Sequence, residues 1–367
     1  MDTIRPFTPD DIPAVAVLFQ RVFRHTAAPP PPQLLGYLDT IYFHNPWYAG
    51  DLPSIVYDAG GKIGGFIGVL PFPFLMAGVP VRAVIGGNYM VDPDLHNPLA
   101  GVKILRAFFA GKQDLALTDT SNETGRKMWE KMGGVTLQTY SLLWLRVLRP
   151  AGFGVSVLAR KKAGAPIAFL ARPLTPFIDA LTTGMTRSPL REEPSHLRAG
   201  ELTAGALLAS IRAASAPDTF VPAYTEEYLA WLISMARQKR EYGEFASALL
   251  SDERGSVAGW YMYYPNPGRI GQVLQVGAMP GKLDAVLAHL FEDARARGTV
   301  ALIGRSGADG FSTYTAHSCV YFQRDMYTQV CTKRQDITQA LLGGKAFITR
   351  LEGEWWTRLQ GDSFEES

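Results

Sequence analysis

Two short stretches hold the residues best suited to chemistry. The first, VDPDLHNPLAGVKILRAF at 91–108, runs from a strand-like end at Val91-Asp92-Pro93, through a polar loop, into an apolar-periodic helix. A helix N-terminus has free N–H groups and the positive end of a dipole, which suits phosphate. Gly101 lets the backbone approach a ligand closely, and Lys103 adds a cation one turn in. The second stretch, TDTSNETGRKMWEKMGG at 118–134, sets Thr120, Ser121 and Asn122 at the entry to a helix closed by Gly133-Gly134. Hydroxyls there can relay a proton. Trp129 cannot supply one, because an indole N–H donates a hydrogen bond but has no accessible acid pKa.

Composition narrows the classes. The chain has 367 residues, 47% hydrophobic and 19% charged, which suggests a globular protein of about two domains. A formal charge of +2 gives no general basic field, so nucleic acid is not an expected partner. The two cysteines, Cys319 and Cys331, form no Cys-x-x-Cys or zinc-type cluster, and no metal is expected. The start, MDTIRPFTPDD, has no apolar core of a signal peptide. The most apolar run, residues 64–87, is broken by Pro71, Pro73, Pro80 and Arg82 and fits buried strands better than a membrane span. A cytoplasmic location follows as the expectation. Serine-nucleophile elbows, zinc-protease helices, phosphate-binding loops of the Gly-Lys-Ser/Thr type and dinucleotide fingerprints are all missing.

The elements that must position these residues follow from periodicity. Apolar residues at helical spacing mark 10–24, then a second helix after Pro29–Pro32, and a third over 99–110. SIVYDAGGKIGGFIGVL reads as a hairpin turning at Gly60-Gly61, VPVRAVIGGNYMV and DLALTDT as strands, and TLQTYSLLWLRVL as one long strand ending near Pro150. Residues 151–200 mix Gly and Pro with a helical patch at 166–182 and read as a linker. From 225 onward the order repeats: a helix, a hairpin at 244–264, a strand at 269–279, a helix closed by Gly298 and a strand at 299–305.

This order and the two stretches resemble the GNAT superfamily of acyl-CoA N-acyltransferases. In that family two neighbouring strands part, and the acyl thioester lies in the gap. The loop (Arg/Gln)-x-x-Gly-x-(Gly/Ala) and the helix after it cradle the pyrophosphate, and Asn-x-x-Ala-x-x-x-Tyr-x-x-x-Gly-Phe follows the next strand. Here His96 stands for the Arg/Gln, Leu99 for the first glycine and Gly101 for the last position. Asn122, Gly125, Trp129 and Gly133-Gly134 hold the places of the second motif. Trp129 replaces the phenol that in many members protonates the leaving thiolate. The resemblance implies an α/β (α+β) fold of two GNAT-like domains, each a mixed, mostly antiparallel sheet flanked by helices. The boundaries it suggests are 1–150 for the acyl-CoA domain, 151–200 for the linker and 201–367 for a degenerate second copy, whose loop Pro280-Gly281-Lys282 is too short to cradle phosphate.

For the site, the resemblance implies a co-substrate, acetyl-CoA or another acyl-CoA, held by Met90, Val91, His96, Leu99, Ala100, Gly101, Val102, Lys103, Asn122, Gly125 and Trp129. Tyr89, on the strand before the loop, and Ser121 are the expected catalytic residues, with Asn88 and Asp92 nearby and Thr120 and Tyr140 as further relay hydroxyls. The acceptor pocket falls near the first two helices, where His25, Tyr42, His44, Asn45 and Trp47 lie. The expected activity is transfer of an acyl group, acetyl foremost, to the amine of a small, amino-acid-like acceptor. The alternative is an inactive double-GNAT protein that binds acyl-CoA as a sensor or scaffold, a reading favoured by His96, Leu99 and Trp129. The tail, FITRLEGEWWTRL, is expected to staple onto a domain.

Overall fold

Ile12, Val15, Ala16, Leu18 and Phe19 recur on one face of α1 (Ile12–Phe23) and are buried, as the 3.6-residue period requires. Asp11 anchors the start of this helix, accepting two hydrogen bonds from Arg5 at 2.7 Å each. In the computed structural model, which describes residues 2–159, 175, 179, 195–239, 242–305, 307 and 310–354, this helix and α2 (Pro32–Phe43) cover one face of a seven-stranded sheet. That sheet contains β1 (Asp2–Pro6), β2 (Ile55–Ala59), β3 (Ile63–Pro71), β6 (Ala83–Val91), β7 (Leu115–Ser121) and β8 (Val135–Thr136). Its other face is covered by α3 (Ala100–Phe109) and α4 (Glu123–Lys131). Every residue of β3 is buried, so this apolar run is a central strand covered on both faces. β4 (Phe74–Met76) and β5 (Val79–Val81) leave the sheet and pair with β11 (Phe220–Pro222) in a small three-stranded sheet.

The expected long strand at 136–148 is broken. After β8 the chain makes one helical turn, α5 (Gln138–Ser141), and then β9 (Leu142–Val147). Ser141 Oγ bonds the Leu137 carbonyl at 2.8 Å, a local side-chain bond that competes with extended pairing. Tyr140 is tied in both directions to the Ala346 backbone. The turn redirects β9 out of the first sheet and into a second.

The second sheet runs β10 (Arg198–Gly200), β12 (Ala246–Ser251), β13 (Val257–Tyr264), β14 (Ile270–Ala278), β15 (Ala301–Arg305), β9, β16 (Val320–Gln323). The first runs β1, β2, β3, β6, β7, β17 (Tyr327–Thr332), β8. The two orders match place by place. In both, the fourth and fifth strands are parallel and the sixth comes from the other half of the chain. The repeat expected in the sequence is thus a repeat of topology with an exchanged strand. The remaining described helices are α6 (Pro150–Ala159), α7 (Ala204–Ala214), α8 (Glu226–Arg237), α9 (Leu283–Ala296), α10 (Phe311–Ala316) and α11 (Gln335–Leu342). α1, α2, α7 and α8 share one core, where Trp47 stacks on Tyr228 with ring centroids 3.4 Å apart. Outer cores lie under α3 and α4 and under α9. Most of the helical patch expected at 166–182 lies outside the described residues. Among the described residues no helix is long and apolar enough to cross a membrane.

The exchange makes a prediction. A fragment of residues 1–150 leaves β7 without β17 and β9 without both neighbours, so it should show no cooperative urea transition. Co-expression with 151–367 should restore one. A fragment that alone gives a dispersed NMR spectrum and a sigmoidal transition would mean that the exchanged strand is dispensable for folding.

Candidate active site

β6 and β7 pair in register only at Ala83–Leu115, Val84–Ala116 and Ile85–Leu117. Beyond that they part. Gly86 to Val91 stay paired to β3 on the far side, with a bulge at Asn88 and Tyr89, while Thr118 and Ser121 pair with β17. The bulge puts Asn88 at φ 48°, in the left-handed region that Asn tolerates better than most residues. The parting therefore leaves the β7-facing backbone edge of Gly86–Val91 without a strand partner.

A glutamate from the end of the described chain fills the apex of this gap. Glu354 Oε1 accepts from Thr118 Oγ1 at 2.8 Å and from Thr120 Oγ1, and the Glu354 amide donates to Asp119 Oδ1 at 2.6 Å. Its Oε2 lies where a side chain on Gly87 would stand, 2.4 Å from an ideal Cβ. Gly87 pairs across the ladder with Gly68, whose missing side chain leaves room for the ring of Tyr42. Glycine inside a strand commonly marks such a close approach. The Tyr42 hydroxyl accepts from Asn88 Nδ2 at 2.8 Å. Burial pushes its pKa up and the Glu354 charge adds to the rise, so it remains a protonated donor.

Asp119 fixes this apex from below. It is fully buried and pairs with the equally buried Arg305, Nη1 to Oδ2 at 2.9 Å, while Arg305 Nη2 also donates to the Asp119 carbonyl at 3.0 Å. Leu115 opens the β6–β7 ladder and Ala301 opens the β14–β15 ladder, so Asp119 and Arg305, each four residues further on, hold the same place in the two halves. The pseudo-twofold axis runs between them.

After β6 the chain turns through Asp92 into α3. Burial raises the Asp92 carboxyl, but the Asp94 amide, Lys62 and Arg21 outweigh burial and hold it below the usual carboxylate range. With Arg21 at 2.7 Å and Lys62 at 3.0 Å, it is a structural tie. In α3, Ala100 N bonds Asn97 O and Lys103 N bonds Leu99 O, and the first-turn amides of Gly101 and Val102 have no acceptor within the helix.

Comparison with known proteins bears on the fold. No family model matches the chain, and no curated protein matches it in sequence. Solved structures do match. A conserved Enterococcus faecalis V583 protein of unknown function, described as a probable N-acyltransferase, is 10% identical with a TM-score of 0.60, over 92% of this chain and 74% of its own. A GCN5-related N-acetyltransferase from Anabaena variabilis is 8% identical with a TM-score of 0.58, over 91% and 74%. Saccharomyces cerevisiae N-myristoyltransferase, solved with bound myristoyl-CoA and inhibitors, is 11% identical with a TM-score of 0.50, over 90% and 79%. The chain has the GNAT fold.

Within that fold the expected site residues are scattered around the parting. Met90 is buried toward α1 and α2, and Val91 packs toward α3. His96 is exposed in the loop, Leu99 is 58% exposed at the head of α3, Ala100 is buried, Gly101 and Val102 are half-buried, and Lys103 is exposed. Tyr89 faces α3, its hydroxyl 2.3 Å from where a Cβ on Gly101 would stand. Ser121 faces α4, its Oγ against Gly125 and bonded to Asn122 O at 3.4 Å. The groups meeting at the apex of the gap are instead Glu354, Thr118, Thr120, Tyr42 and Asn88. Asn122 caps α4, accepting from Gly125 N at 2.9 Å. Trp129 is 4% exposed and packs on Phe108 and on Phe109 at 4.8 Å, edge to face, under α3 and α4. Tyr140 is committed to Ala346, and His25 and His44 are exposed. Glu354 was not among the residues expected at the site. Its only signals were interior glycines at 68 and 87 and a glutamate in an apolar tail. Trp355 and Trp356 lie outside the described residues.

Two stability outcomes follow. Arg305→Met leaves Asp119 buried without its cation and should cost about 3–5 kcal/mol in urea unfolding, as does breaking other buried pairs. Trp129→Ala should cost about 3–5 kcal/mol by opening a void. A loss below about 1 kcal/mol for either would contradict the burial described.

Proposed function

We propose that the protein is an acyl-CoA-dependent N-acyltransferase that moves an acyl group from the thioester to a primary amine. The observation that carries this reading is the parting of β6 and β7 after three ladder pairs, with a buried glutamate and two threonine hydroxyls at its apex. The site is read as one formed by residues 1–150 together with the tail of the second half.

The chain's own residues fit the co-substrate as follows. The backbone edge of Gly86–Val91, with Met90 and Val91 at its open end, takes the pantetheine arm in strand-like fashion. The first turn of α3, Leu99 to Lys103, takes the diphosphate through amides and the Lys103 cation, and the exposed His96 flanks it. Gly125 and the Asn122 cap keep α4 close beside the arm. Trp129 supports this wall from within the core. Tyr89, over Gly101, shapes the cradle, and Ser121 stands at the mouth of the gap.

Glu354 takes the proton of the incoming ammonium. The amine nitrogen then bonds the thioester carbonyl carbon, the C–S bond breaks, and the second proton released from the nitrogen leaves on the CoA sulfur, so that the products are the amide and the free thiol. Thr118 and Thr120 hold the carboxylate in place. The Tyr42 hydroxyl, oriented by Asn88, donates to the charge that develops on the oxygen or the leaving sulfur. CoA thiolate is a tolerable leaving group, so the missing phenol at position 129 slows the reaction without preventing it. Acetyl is the expected acyl group, and a small, amino-acid-like amine the expected acceptor, with the chain working as a cytoplasmic enzyme.

A second reading is favoured by one observation: Glu354 and the exposed Leu99 stand in the gap and at the cradle, as in a binding protein that has lost turnover. Assay of free CoA release from acetyl-CoA and longer acyl-CoAs against a panel of amines separates the two. Wild type should turn over, and Glu354→Gln should lower kcat by ~10²–10⁴ with little change in acyl-CoA KM, the range for general base catalysis. Tight acyl-CoA binding by calorimetry without turnover of any amine would favour the sensor. No binding would refute both.

A further inference from the structure

Glu354 is the last described residue, and what holds it belongs to the other half. The gap between β14 and β15 repeats that between β6 and β7, with ladder pairs only at Ile270–Ala301, Gly271–Leu302 and Gln272–Ile303. This second gap is filled by the tail itself. The Arg350 amide bonds the Leu274 carbonyl at 3.2 Å, and its Nη1 bonds Gln272 Oε1 at 2.7 Å. Two residues on, Glu352 is fully buried, and both of its oxygens are saturated. Oε1 accepts from Tyr224 Oη at 2.6 Å and Gln275 Nε2 at 2.7 Å, and Oε2 accepts from Thr349 N at 2.6 Å and from Thr349 Oγ1. Trp260 Nε1 in turn fixes Gln275 through its Oε1 at 2.8 Å. Gly353 then crosses the pseudo-twofold axis against Asp119, where a Cβ would stand 2.1 Å from Oδ2. The next side chain is Glu354.

We propose that the second half, through Tyr224, Gln275 and Glu352, is the positioning device for Glu354, and that its own gap is an anchor for the tail and not a second acyl-CoA site. This rests on the reading of Glu354 as the base. A buried carboxylate with four donors is a rigid post, and only Gly353 separates it from the reacting carboxylate. A glycine is required there because any side chain would meet Asp119. The rotamer of Glu354 is thus set from the second half, whose Arg305 also holds Asp119 beneath the Glu354 amide.

Tyr224→Phe in the full-length protein tests this, because it removes one donor to Glu352 and keeps the ring that stacks on Trp47. It should lower kcat by about 10-fold, the scale of lost support behind a reacting group, and leave acyl-CoA KM unchanged. In a Glu354→Gln background the same change should have no further effect, since its action passes through Glu354. Independently of turnover, Tyr224→Phe should speed hydrogen exchange at the Glu354 amide, with the β7 amides unchanged. The same kcat loss in both backgrounds, or unchanged exchange at Glu354, would overturn the positioning role. If wild type turns over no amine, the acyl-transfer reading fails, and amide exchange alone still decides whether Tyr224 holds the tail. Gly353→Ala should displace Glu354 without touching the Tyr224 cluster, and should reproduce the kcat loss with normal exchange at Leu351.

Discussion

A single buried ion pair sits where the two halves of this chain meet. Asp119 and Arg305 occupy equivalent positions at the ends of equivalent strands, one acidic and one basic, and each neutralises the other across the pseudo-twofold axis. Two copies of either would place like charges side by side in a dry interface, where repulsion is severe. The pair is therefore the point at which the repeat stops being symmetric. Asp119 also receives the Glu354 amide, so its charge serves the join between the halves and the seat of the tail together.

From that asymmetry the two gaps acquire different fates. Both sheets part after three ladder pairs, yet one gap takes a guanidinium that bonds backbone and Gln272, and the other takes a carboxylate held by two threonines. Glycines at 68 and 87 make room for Tyr42 and Glu354 in the first gap, while Leu274 and Gln275, both buried, line the second. In the first half an uncovered strand edge leads to a helix N-terminus, with a carboxylate at the apex; in the second half the tail covers the strand edge through the Arg350 amide and the Leu274 carbonyl. The same tail segment closes one gap and completes the other.

Much of this architecture was legible in the residues. The hairpin at Gly60-Gly61, the helices at 12–23, 100–109, 123–131 and 283–296, and the hairpin–strand–helix–strand order shared by the two halves follow from period and punctuation. Local signals could not show where β9 and β17 pair, because a strand's sequence records which faces are buried and not which neighbour lies beside it. α5 was hidden because QTYS sits between apolar runs that read as one strand, and the turn is held by contacts with distant residues such as Ala346. At the site, Tyr42 and Asn88 were within the region expected to matter. Glu354 was not, since a bond spanning more than two hundred residues leaves no trace in spacing. Trp129 carried the motif's position, and the structure puts it in the core under α3 and α4.

The exchanged strands also impose an order on synthesis. β7 emerges from the ribosome with one edge that only β17 can cover, roughly 200 residues later, which is about 10–40 s of translation. Throughout that interval the nascent chain carries an open strand edge, the kind of edge that invites pairing with a foreign chain. β9 waits likewise for β15 and β16. Neither sheet can close before nearly the whole polypeptide has been made, so folding of either half depends on whatever shields the unfinished chain in its cell.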